Sequence, residues 1–343
     1  MNLNPEKIFG TAQKLGASDV HMSVGSPILF RINGELKPQM ESSLNKTDLD
    51  AFIKTVLGSA KYTKFTKERG VDASYAMKDG ARVRVNCLFD QHGPGLVGRL
   101  IPPEIPSLED LRLKEIYENV CLARDGIVLF TGPTGTGKST SLAAIINEIN
   151  QTTTSHIVTL EDPIEFTYKN GTGLVRQRQM NDDFTSFPEA LRSVLRQDPD
   201  VVMVGEMRDL ETISTALTLA ETGHLIFATL HTPNASQTVD RIVDVFPPHQ
   251  QTQIRMQLSL TLRGIVAQRL LPGADGGRIA QREVLKSTMA VANIIREGRT
   301  QELPSVMQTN IKNGGMCTFE HSAKDLLEKK LITKEVCKWA EIA

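Results

Sequence analysis

Gly132-Pro-Thr-Gly-Thr-Gly-Lys-Ser139 is the stretch that decides the fold of this 343-residue chain. It fits the pattern of glycine, four residues and then Gly-Lys-Ser or Gly-Lys-Thr, and it follows the apolar run 126–131. Glycines let the backbone curve so that its N–H groups converge on phosphate oxygens, and a helix predicted over 139–150 adds its positive dipole end. A strand before and a helix after disfavour an incidental glycine-rich turn. The pattern therefore predicts a phosphate-binding loop and a bound nucleoside triphosphate.

The loop residues are expected to bind the nucleotide in two ways. Lys138 is expected to reach the β- and γ-phosphates, and the Ser139 hydroxyl is expected to hold Mg²⁺. ATP and Mg²⁺ are therefore the predicted ligands. The residues predicted to bind them are Gly132, Pro133, Thr134, Gly135, Thr136, Gly137, Lys138, Ser139 and Thr140.

Composition narrows the class of protein. Lysine and arginine total 39 against 40 aspartates and glutamates, for a net charge of -1, so we expect no nucleic-acid partner. No apolar run approaches the about 20 residues that span a bilayer, and the first residues lack an apolar signal core, which predicts a cytoplasmic protein. The four cysteines lack metal-ligand spacing and are expected to be free, mostly buried thiols: Cys87, Cys121, Cys317 and Cys337.

The chain is expected to form two domains. Residues 1–100 mix short helices and strands, with a hairpin predicted at Asn33-Gly34. The proline-rich segment at the start of 101–111 predicts a linker, because proline lacks a backbone donor. In 112–343 strands alternate with helices, which predicts parallel βαβ units with helices on both faces of the sheet. The predicted strands are 126–131, 156–160, 200–204 and 225–230; the predicted helices are 139–150, 186–196, 209–222, 250–270 and a tail over 320–341.

Acidic residues follow two of these strands. Glu206 ends the apolar run 200–204, and an acid in that position projects toward the phosphate loop, where it would bind Mg²⁺ through water or orient the attacking water. Glu161 and Glu165 follow another strand, where they would polarise a water for in-line attack. Both groups of acids are predicted catalytic residues.

Histidines and arginines are further candidates. His224 and His231 flank one buried strand, and we expect them to respond to the γ-phosphate. Arg82 and Arg84 share one strand face, so both are able to reach a phosphate together. Other arginines that are candidates for stabilising transition-state charge are Arg99, Arg192, Arg196, Arg208 and Arg241.

The motifs together resemble the secretion ATPase superfamily. In that family the four segments correspond to the Walker A, Asp-box, Walker B and His-box motifs. Within it the chain is most similar to the PilT-like type IV pilus retraction ATPases, through Ala17-Ser-Asp-Val-His21, Leu219-Ala-Glu-Thr-Gly-His-Leu225 and Arg241-Ile-Val-Asp-Val-Phe-Pro-Pro248. The four motif segments are 132–139, Glu161-Asp-Pro-Ile-Glu165, 196–209 and 222–232.

The resemblance implies a fold and a function. The fold is α/β, a RecA-like P-loop ATPase domain preceded by a smaller PAS-like α+β domain. The function is a hexameric motor that hydrolyses ATP to retract pili. Arg82 and Arg84, with Arg99 as a third candidate, would close on the γ-phosphate, and hydrolysis would rotate one domain against the other. The partners would be five further copies of the chain, an inner-membrane platform protein and, indirectly, pilin, at the cytoplasmic side of the inner membrane.

One motif departs from the family pattern. Retraction ATPases carry Ala-Ile-Arg-Asn-Leu-Ile-Arg-Glu, whereas this chain has Ala290-Val-Ala-Asn-Ile-Ile-Arg-Glu297, with Ala292 in place of arginine. The change bears on retraction strength, or on a principal against an accessory role, and not on ATP hydrolysis.

Three alternatives stay open from the sequence. A pilus assembly or type II secretion ATPase usually carries a further N-terminal domain and a paired-cysteine metal-binding insertion, and we expect neither from this sequence. A nucleic-acid-translocating hexameric P-loop ATPase would have basic pore-facing loops. A scaffold that binds nucleotide without hydrolysing it would have a damaged site, whereas Lys138, Ser139, Glu161 and Glu206 are all present.

Overall fold

A computed structural model describes residues 3–32, 34–101, 104–311 and 315–342. The chain divides into two compact units. The first contains Met1–Glu104 together with Pro163–Thr167, and the second contains Ile105–Asp162 and Tyr168–Ala343. The predicted turn residue Asn33 and the linker prolines Pro102 and Pro103 lie outside the described residues.

The first unit is a small α+β domain built on one antiparallel sheet. The order of its six strands is β3-β2-β1-β6-β5-β4. Two helices complete it, and the second changes direction at Gly58, whose φ of 69° is not helical. The elements are α1 Pro5–Lys14, β1 Asp19–Ser23, β2 Leu29–Ile32, β3 Glu35–Pro38, α2 Lys46–Glu68, β4 Gly70–Ala76, β5 Arg82–Asp90 and β6 Gly93–Ile101.

Alternation along these strands separates a core face from a polar face. Val83, Val85 and Cys87 of β5 are buried with side chains of both helices, while Arg84 and the residues flanking it on the same face are not. The period of two requires this separation in a sheet that is covered on one side. The hairpin predicted between β2 and β3 is present, because Ile32 pairs with Glu35.

The second unit is built on a sheet of seven strands in the order β13-β12-β7-β11-β10-β8-β9. Six of these strands are parallel, and β13 is antiparallel to β12 at one edge. The parallel arrangement predicted from the alternation of strands and helices is therefore correct for all but that edge strand. The strands are β7 Gly126–Thr131, β8 His156–Glu161, β9 Leu174–Gln179, β10 Val201–Val204, β11 Leu225–Leu230, β12 Leu262–Pro272 and β13 Arg278–Lys286.

Helices cover both faces of this sheet. Ile127 and Leu129 of β7 belong to one hydrophobic cluster, whereas Val128 and Phe130 belong to another, so successive side chains are buried on opposite faces. The helices are a short α3 Lys114–Ile116 continued by a π-helical turn Tyr117–Cys121, α4 Lys138–Thr152, α5 Phe187–Val194, α6 Leu210–Glu221, α7 Ala235–Asp244, α8 Pro248–Thr261, α9 Met289–Glu297, α10 Leu303–Thr309, α11 Phe319–Glu328 and α12 Lys334–Ile342, with a 3₁₀ turn Thr300–Glu302 before α10.

The predicted helix over 250–270 is wrong in its second half. α8 ends at Thr261, and Leu262 directly begins β12, which pairs with both β7 and β13. Gly264 lets β12 pack closely against Val120, because a Cβ at this position would lie 2.3 Å from Val120 Cγ1. Pairing on both sides outweighs the weak helical preference of this leucine-rich segment.

The C-terminal tail is two helices and not one. Lys330, with a φ of 58°, follows α11 and turns the chain before α12 begins. Both helices share a small cluster with β12 that includes Leu271, Leu326 and Cys337. No helix within the described ranges is both long enough and apolar enough to cross a bilayer.

Candidate functional site

The segment 132–137 forms a tight loop between β7 and α4. Gly132, Gly135 and Gly137 all have positive φ, at 138°, 81° and 85°. A side chain is strained at such angles, so the conformation requires glycine. Backbone of the neighbouring strand also approaches closely, since a Cβ on Gly132 would lie 2.3 Å from the carbonyl oxygen of Gln268.

The start of α4 is arranged for an anion. The helix begins after Gly137, and no side chain among the described residues caps it. Lys138 is buried, and its Nζ donates to the carbonyl oxygens of Gly132 at 2.6 Å and Pro133 at 2.9 Å. Uncapped N–H groups, a glycine loop and an ammonium group within it fit the phosphates of a nucleotide.

Ser139 is the candidate metal ligand at the start of α4. Ser139 is exposed next to Lys138, which leaves its hydroxyl accessible to a metal ion. Among the described residues, no group of three or more His, Cys, Asp or Glu side chains is placed to hold a metal ion.

Strand order brings three of the candidate catalytic residues to the end of the sheet that carries the phosphate loop. In the order β7-β11-β10-β8, the carboxyl ends carry the phosphate loop, His231, Glu206 and Glu161. Because neighbouring strands lie about 4.8 Å apart, β7 and β10 are separated by about 10 Å. An open parallel sheet binds its ligands outside such carboxyl ends.

Glu206 lies at the centre of a charged cluster at this end of the sheet. Its Oε2 lies 2.7 Å from Nη2 of Arg208, and its Oε1 lies 3.1 Å from Nε2 of His231. Burial of the carboxyl raises its pKa, but the hydrogen bond from Arg208 and the charges of His231 and Arg208 lower the pKa more. The pKa of Glu206 is therefore below its ordinary value, and the side chain is ionised at neutral pH.

β11 holds the turn that carries Glu206. Thr229 Oγ1 donates to the carbonyl oxygen of Gly205 at 2.5 Å, and the N–H of Met207 donates to the carbonyl oxygen of Thr229 at 3.0 Å. Gly205 itself lies against β8, because a Cβ there would lie 3.1 Å from the carbonyl oxygen of Leu160. This packing accounts for a glycine directly before the acid.

Glu161 is the buried last residue of β8. Its Oε1 accepts hydrogen bonds from Thr159 Oγ1 at 2.7 Å and from Gln177 Nε2 at 3.0 Å. Glu165 belongs to the segment Pro163–Thr167, which groups with the first unit. The catalytic roles of Glu161 and Glu165 stay predictions.

The two histidines lie at opposite ends of β11. His231 follows the carboxyl end and contacts Glu206, whereas His224 precedes the amino end. His224 Nδ1 lies 3.1 Å from the carbonyl oxygen of Leu219 and 3.2 Å from Thr222 Oγ1. Of these two histidines, His231 lies at the end of the sheet that carries the phosphate loop, and His224 lies at the opposite end.

The polar face of the first unit carries a row of charges. Arg84 on β5 is directly opposite Arg99 on β6, Arg99 is opposite Asp19 on β1, and Asp19 is opposite Arg31 on β2. Arg82 lies on the same face as Arg84. Like charges opposite one another are destabilising, and in this row Asp19 supplies the negative charge beside Arg99.

Asp19 lies between two arginines of this row, Arg99 and Arg31. Its Oδ1 lies 2.9 Å from Nε of Arg99, its Oδ2 accepts a hydrogen bond from Ser18 Oγ at 2.8 Å, and the residue is buried. Burial raises the pKa of Asp19, but the hydrogen bonds from Ser18 and Arg99 lower it more, to below the ordinary value of 3.8.

We expect Asp19→Asn to destabilise the first unit by about 1–2 kcal/mol at pH 7, since a charge-assisted hydrogen bond and a partly exposed ion pair are lost. A carboxyl whose folded pKa is lowered stabilises the fold above its unfolded pKa and stops doing so as the pH falls through the folded value. The difference between variant and wild type should therefore shrink as the pH falls below 3.8. Hydrogen exchange of peptides from β1 and β6 measures it.

Asp72→Asn is the matched control on the same sheet. Asp72 is exposed on β4 and accepts one hydrogen bond, from Asn86 at 3.2 Å. We expect a change within about 0.5 kcal/mol for this variant. An equal effect of both variants, or a difference for Asp19→Asn that does not vary with pH, would contradict the account of Asp19.

Two residues of the site were missed by the motif-based prediction. Gln268 on β12 contacts the phosphate loop directly, because its Nε2 donates to the carbonyl oxygen of Thr136 at 2.5 Å, and Arg282 on β13 contacts Gln268. Their strands were not predicted. The sequence does hold a signal, because β-branched Ile265 and Val266 lie in a run bounded by Gly264 and Pro272, which is typical of a strand.

Known proteins share both the sequence and the fold. PilT, the type IV pilus retraction ATPase of Pseudomonas aeruginosa, is 41% identical over 96% of this chain and 95% of its own length. A twitching motility protein of Neisseria gonorrhoeae is 42% identical over 90% of this chain and 83% of its own length. The crystal structure of the pilus retraction motor PilT with bound ADP superposes with a TM-score of 0.90 at 42% identity, covering 98% of this chain and 97% of that one.

A family model agrees with these relatives. The model described as Type II/IV secretion system protein matches residues 2–333, which is nearly the whole chain. The RecA-like P-loop ATPase fold that the family resemblance implied is confirmed by the structure of PilT. The chain therefore belongs to the type II/IV secretion system protein family.

Proposed function

We propose that this chain is an ATPase motor that hydrolyses ATP to drive type IV pilus retraction and twitching motility. The observation that carries the proposal is the placement of Glu206 and His231 at the end of the sheet that also carries the phosphate loop. Full-length similarity to a named retraction ATPase supports the pilus as the system on which it acts.

ATP binding is assigned to the loop and the first turn of α4. The N–H groups of 132–137 and of the helix start would hold the phosphate oxygens, with Lys138 Nζ moving from the loop carbonyls to the β- and γ-phosphates. The side chains that would hold Mg²⁺ are Ser139 and Glu206, and the ion would neutralise phosphate charge. Gly132 and Gly137 permit this close approach because they have no side chain.

Hydrolysis is assigned to the acids at the same end of the sheet. A water attacks the γ-phosphorus, the bond from that phosphorus to the bridging β-phosphate oxygen breaks, the proton of the water passes to a phosphate oxygen, and ADP and inorganic phosphate leave. A carboxylate with a lowered pKa is a weak base, so Glu206 orients the water and is not the acceptor of its proton in the ground state. Glu161, fixed by Thr159 and Gln177, would hold a second water or order the first.

Arg82, Arg84 and Arg99 are assigned to the γ-phosphate. Arg99 is paired with Asp19, so the exposed Arg84 opposite it and Arg82 on the same face are what supports an anionic ligand at this face. Binding there would tie the first unit to the nucleotide state, and release of phosphate would free it. His231, which contacts Glu206, and His224 at the other end of β11 would communicate that change along the strand.

The assembly is assigned by the same family relationship. We infer a homohexamer in the cytoplasm, peripheral at the inner membrane, that turns an inner-membrane platform protein and so withdraws pilin subunits. α9, which contains the departing residue Ala292, is half-buried at that position. The absence of arginine at this position would affect the strength of retraction, or would determine whether the chain is the principal or an accessory retraction ATPase.

Deletion of the gene in its source organism tests the direction of the motor. We expect cells that carry more surface pili than wild type and do not twitch, because pili extend but are not withdrawn. Electron microscopy of pili and a stab-agar twitching assay measure both effects. Complementation with the wild-type chain should restore normal pilus number.

Two other outcomes would overturn the proposal. Cells without pili would indicate an assembly ATPase, and unchanged pili with a defect in protein export would indicate a type II secretion ATPase. Purified chain whose ATP turnover rises several-fold with added DNA would indicate a nucleic-acid translocase.

A further inference from the structure

Arg282 is a buried cation beside the phosphate loop. The residue is 6% exposed, and no described carboxylate forms an ion pair with it. Burial lowers its pKa to about 10, and the charge of Arg112 acts in the same direction. A buried charge is costly unless its hydrogen bonds are made, so the contacts of this guanidinium group require a reason.

The contacts of Arg282 are all with neutral oxygens. Nε donates to Gln268 Oε1 at 2.9 Å, and Nη1 donates to the carbonyl oxygen of Leu111 at 2.8 Å. Nη2 lies 3.5 Å from Ser141 Oγ in the first turns of α4. The guanidinium group thus joins β13, the segment before α3 and the helix that follows the phosphate loop.

Gln268 connects this cation to the loop itself. Its Oε1 accepts from Arg282 and, at 2.9 Å, from Ser141 Oγ, while its Nε2 donates to the carbonyl oxygen of Thr136 at 2.5 Å. Both ends of the amide are therefore satisfied, and this sets which end faces the loop. Hydrogen bonds in such a buried series polarise one another.

The carbonyl of Thr136 and the N–H of Gly137 belong to one peptide group. Because Gln268 fixes the carbonyl on one side, the N–H points to the opposite side, at the start of α4. Arg282 polarises the Gln268 amide, and the amide in turn polarises the Thr136 carbonyl. A polarised carbonyl makes the Gly137 N–H of the same peptide group a stronger donor to an anion. We propose that Arg282 and Gln268 are positioning residues that orient and polarise the Thr136–Gly137 peptide of the phosphate loop for nucleotide phosphate.

Arg282 also contacts the segment before α3, because its Nη1 donates to the carbonyl oxygen of Leu111. This inference rests on the proposed function, because it assigns a role in binding the ATP that the motor hydrolyses.

Gln268→Glu is the sharpest test. The new carboxylate forms an ion pair with Arg282 but has no N–H to donate to Thr136, and it places negative charge beside the phosphates. We expect the midpoint of thermal unfolding to stay within about 2 °C of wild type. The Kd for ADP with Mg²⁺, measured by isothermal titration calorimetry, should rise at least about ten-fold.

Arg282→Met is the second variant, and it separates positioning from a structural role. The variant loses the hydrogen bonds to Leu111 and Gln268 but also removes a buried charge that has no ion-pair partner among the described residues, so the unfolding midpoint should stay within a few degrees of wild type. The Kd for ADP with Mg²⁺ should still rise several-fold, and KM for ATP should rise more than kcat falls. Arg282→Lys, which retains the charge, should recover part of the affinity.

Arg269→Met is the matched control on β12. Its guanidinium group lies over the ring of Phe319 at 4.2 Å and contacts no loop residue, so ADP affinity should stay within about two-fold of wild type. Wild-type affinity in Gln268→Glu or, should that variant not fold, in Arg282→Met would overturn this inference alone. A wild-type chain that binds no ATP would overturn the proposed function as well.

Discussion

Glu206→Gln is expected to lower kcat for ATP hydrolysis by at least about 10², while leaving ATP affinity within a few-fold of wild type. The substitution preserves shape but removes the charge that orients the attacking water. Arg208 and His231 then lose their anionic partner, which lies 2.7 Å and 3.1 Å away. Binding is largely spared because the loop and Lys138, which hold the phosphates, follow β7, two strands from β10, and glutamine keeps a side-chain oxygen for Mg²⁺.

A coupled assay of phosphate release, with calorimetric titration of ATP and Mg²⁺, measures both quantities. Glu328→Gln, at the exposed end of α11, is the control and should turn over ATP at the wild-type rate. Hydrolysis by Glu206→Gln within about three-fold of wild type would refute the catalytic role given to this acid.

Lys138→Ala is expected to weaken ATP binding by about 10² and to abolish measurable turnover at millimolar ATP. The buried ammonium group is the cation within the loop, and it contacts the carbonyls of Gly132 and Pro133. Without the ammonium group, the carbonyl oxygens of Gly132 and Pro133 would lie beside the phosphates with no positive charge between them.

Lys334→Ala, an exposed lysine at the start of α12, controls for general loss of charge. Calorimetry with ATP and Mg²⁺ should report wild-type affinity for this control. Undiminished binding by Lys138→Ala would contradict the assignment of the loop as the phosphate site.

The phosphate loop was predictable because its constraints are local. Positive φ at Gly132, Gly135 and Gly137 requires glycine, and the apolar run of β7 fixes the strand before the loop. The same reasoning correctly placed Glu206 just after the carboxyl end of β10. Periodicity within a short segment is sufficient for such features.

Strands β12 and β13 were not predictable in this way. β12 follows α8 without a turn, and its strand character depends on pairing with β7 and β13, which are distant in sequence. Gln268 and Arg282 therefore have no local motif, and their roles appear only when the two strands are placed beside the loop. Tertiary pairing overrides local preference at such positions.

The two histidines illustrate the same limit within the site. Both flank one apolar run, so sequence alone treats them alike. Strand direction separates them, because only the carboxyl end of β11 meets Glu206. His231 is therefore placed at the chemistry by the parallel sheet, and His224 is hydrogen-bonded near the end of α6.

Retraction of fluorescently labelled pili in a deletion strain is the measurement that tests the central claim most directly. The account predicts that the wild-type chain restores shortening of individual pili, whereas Glu206→Gln, expressed at the same level, leaves them extended. Restoration of shortening by Glu206→Gln at the wild-type rate would contradict the claim that ATP hydrolysis at this site drives retraction.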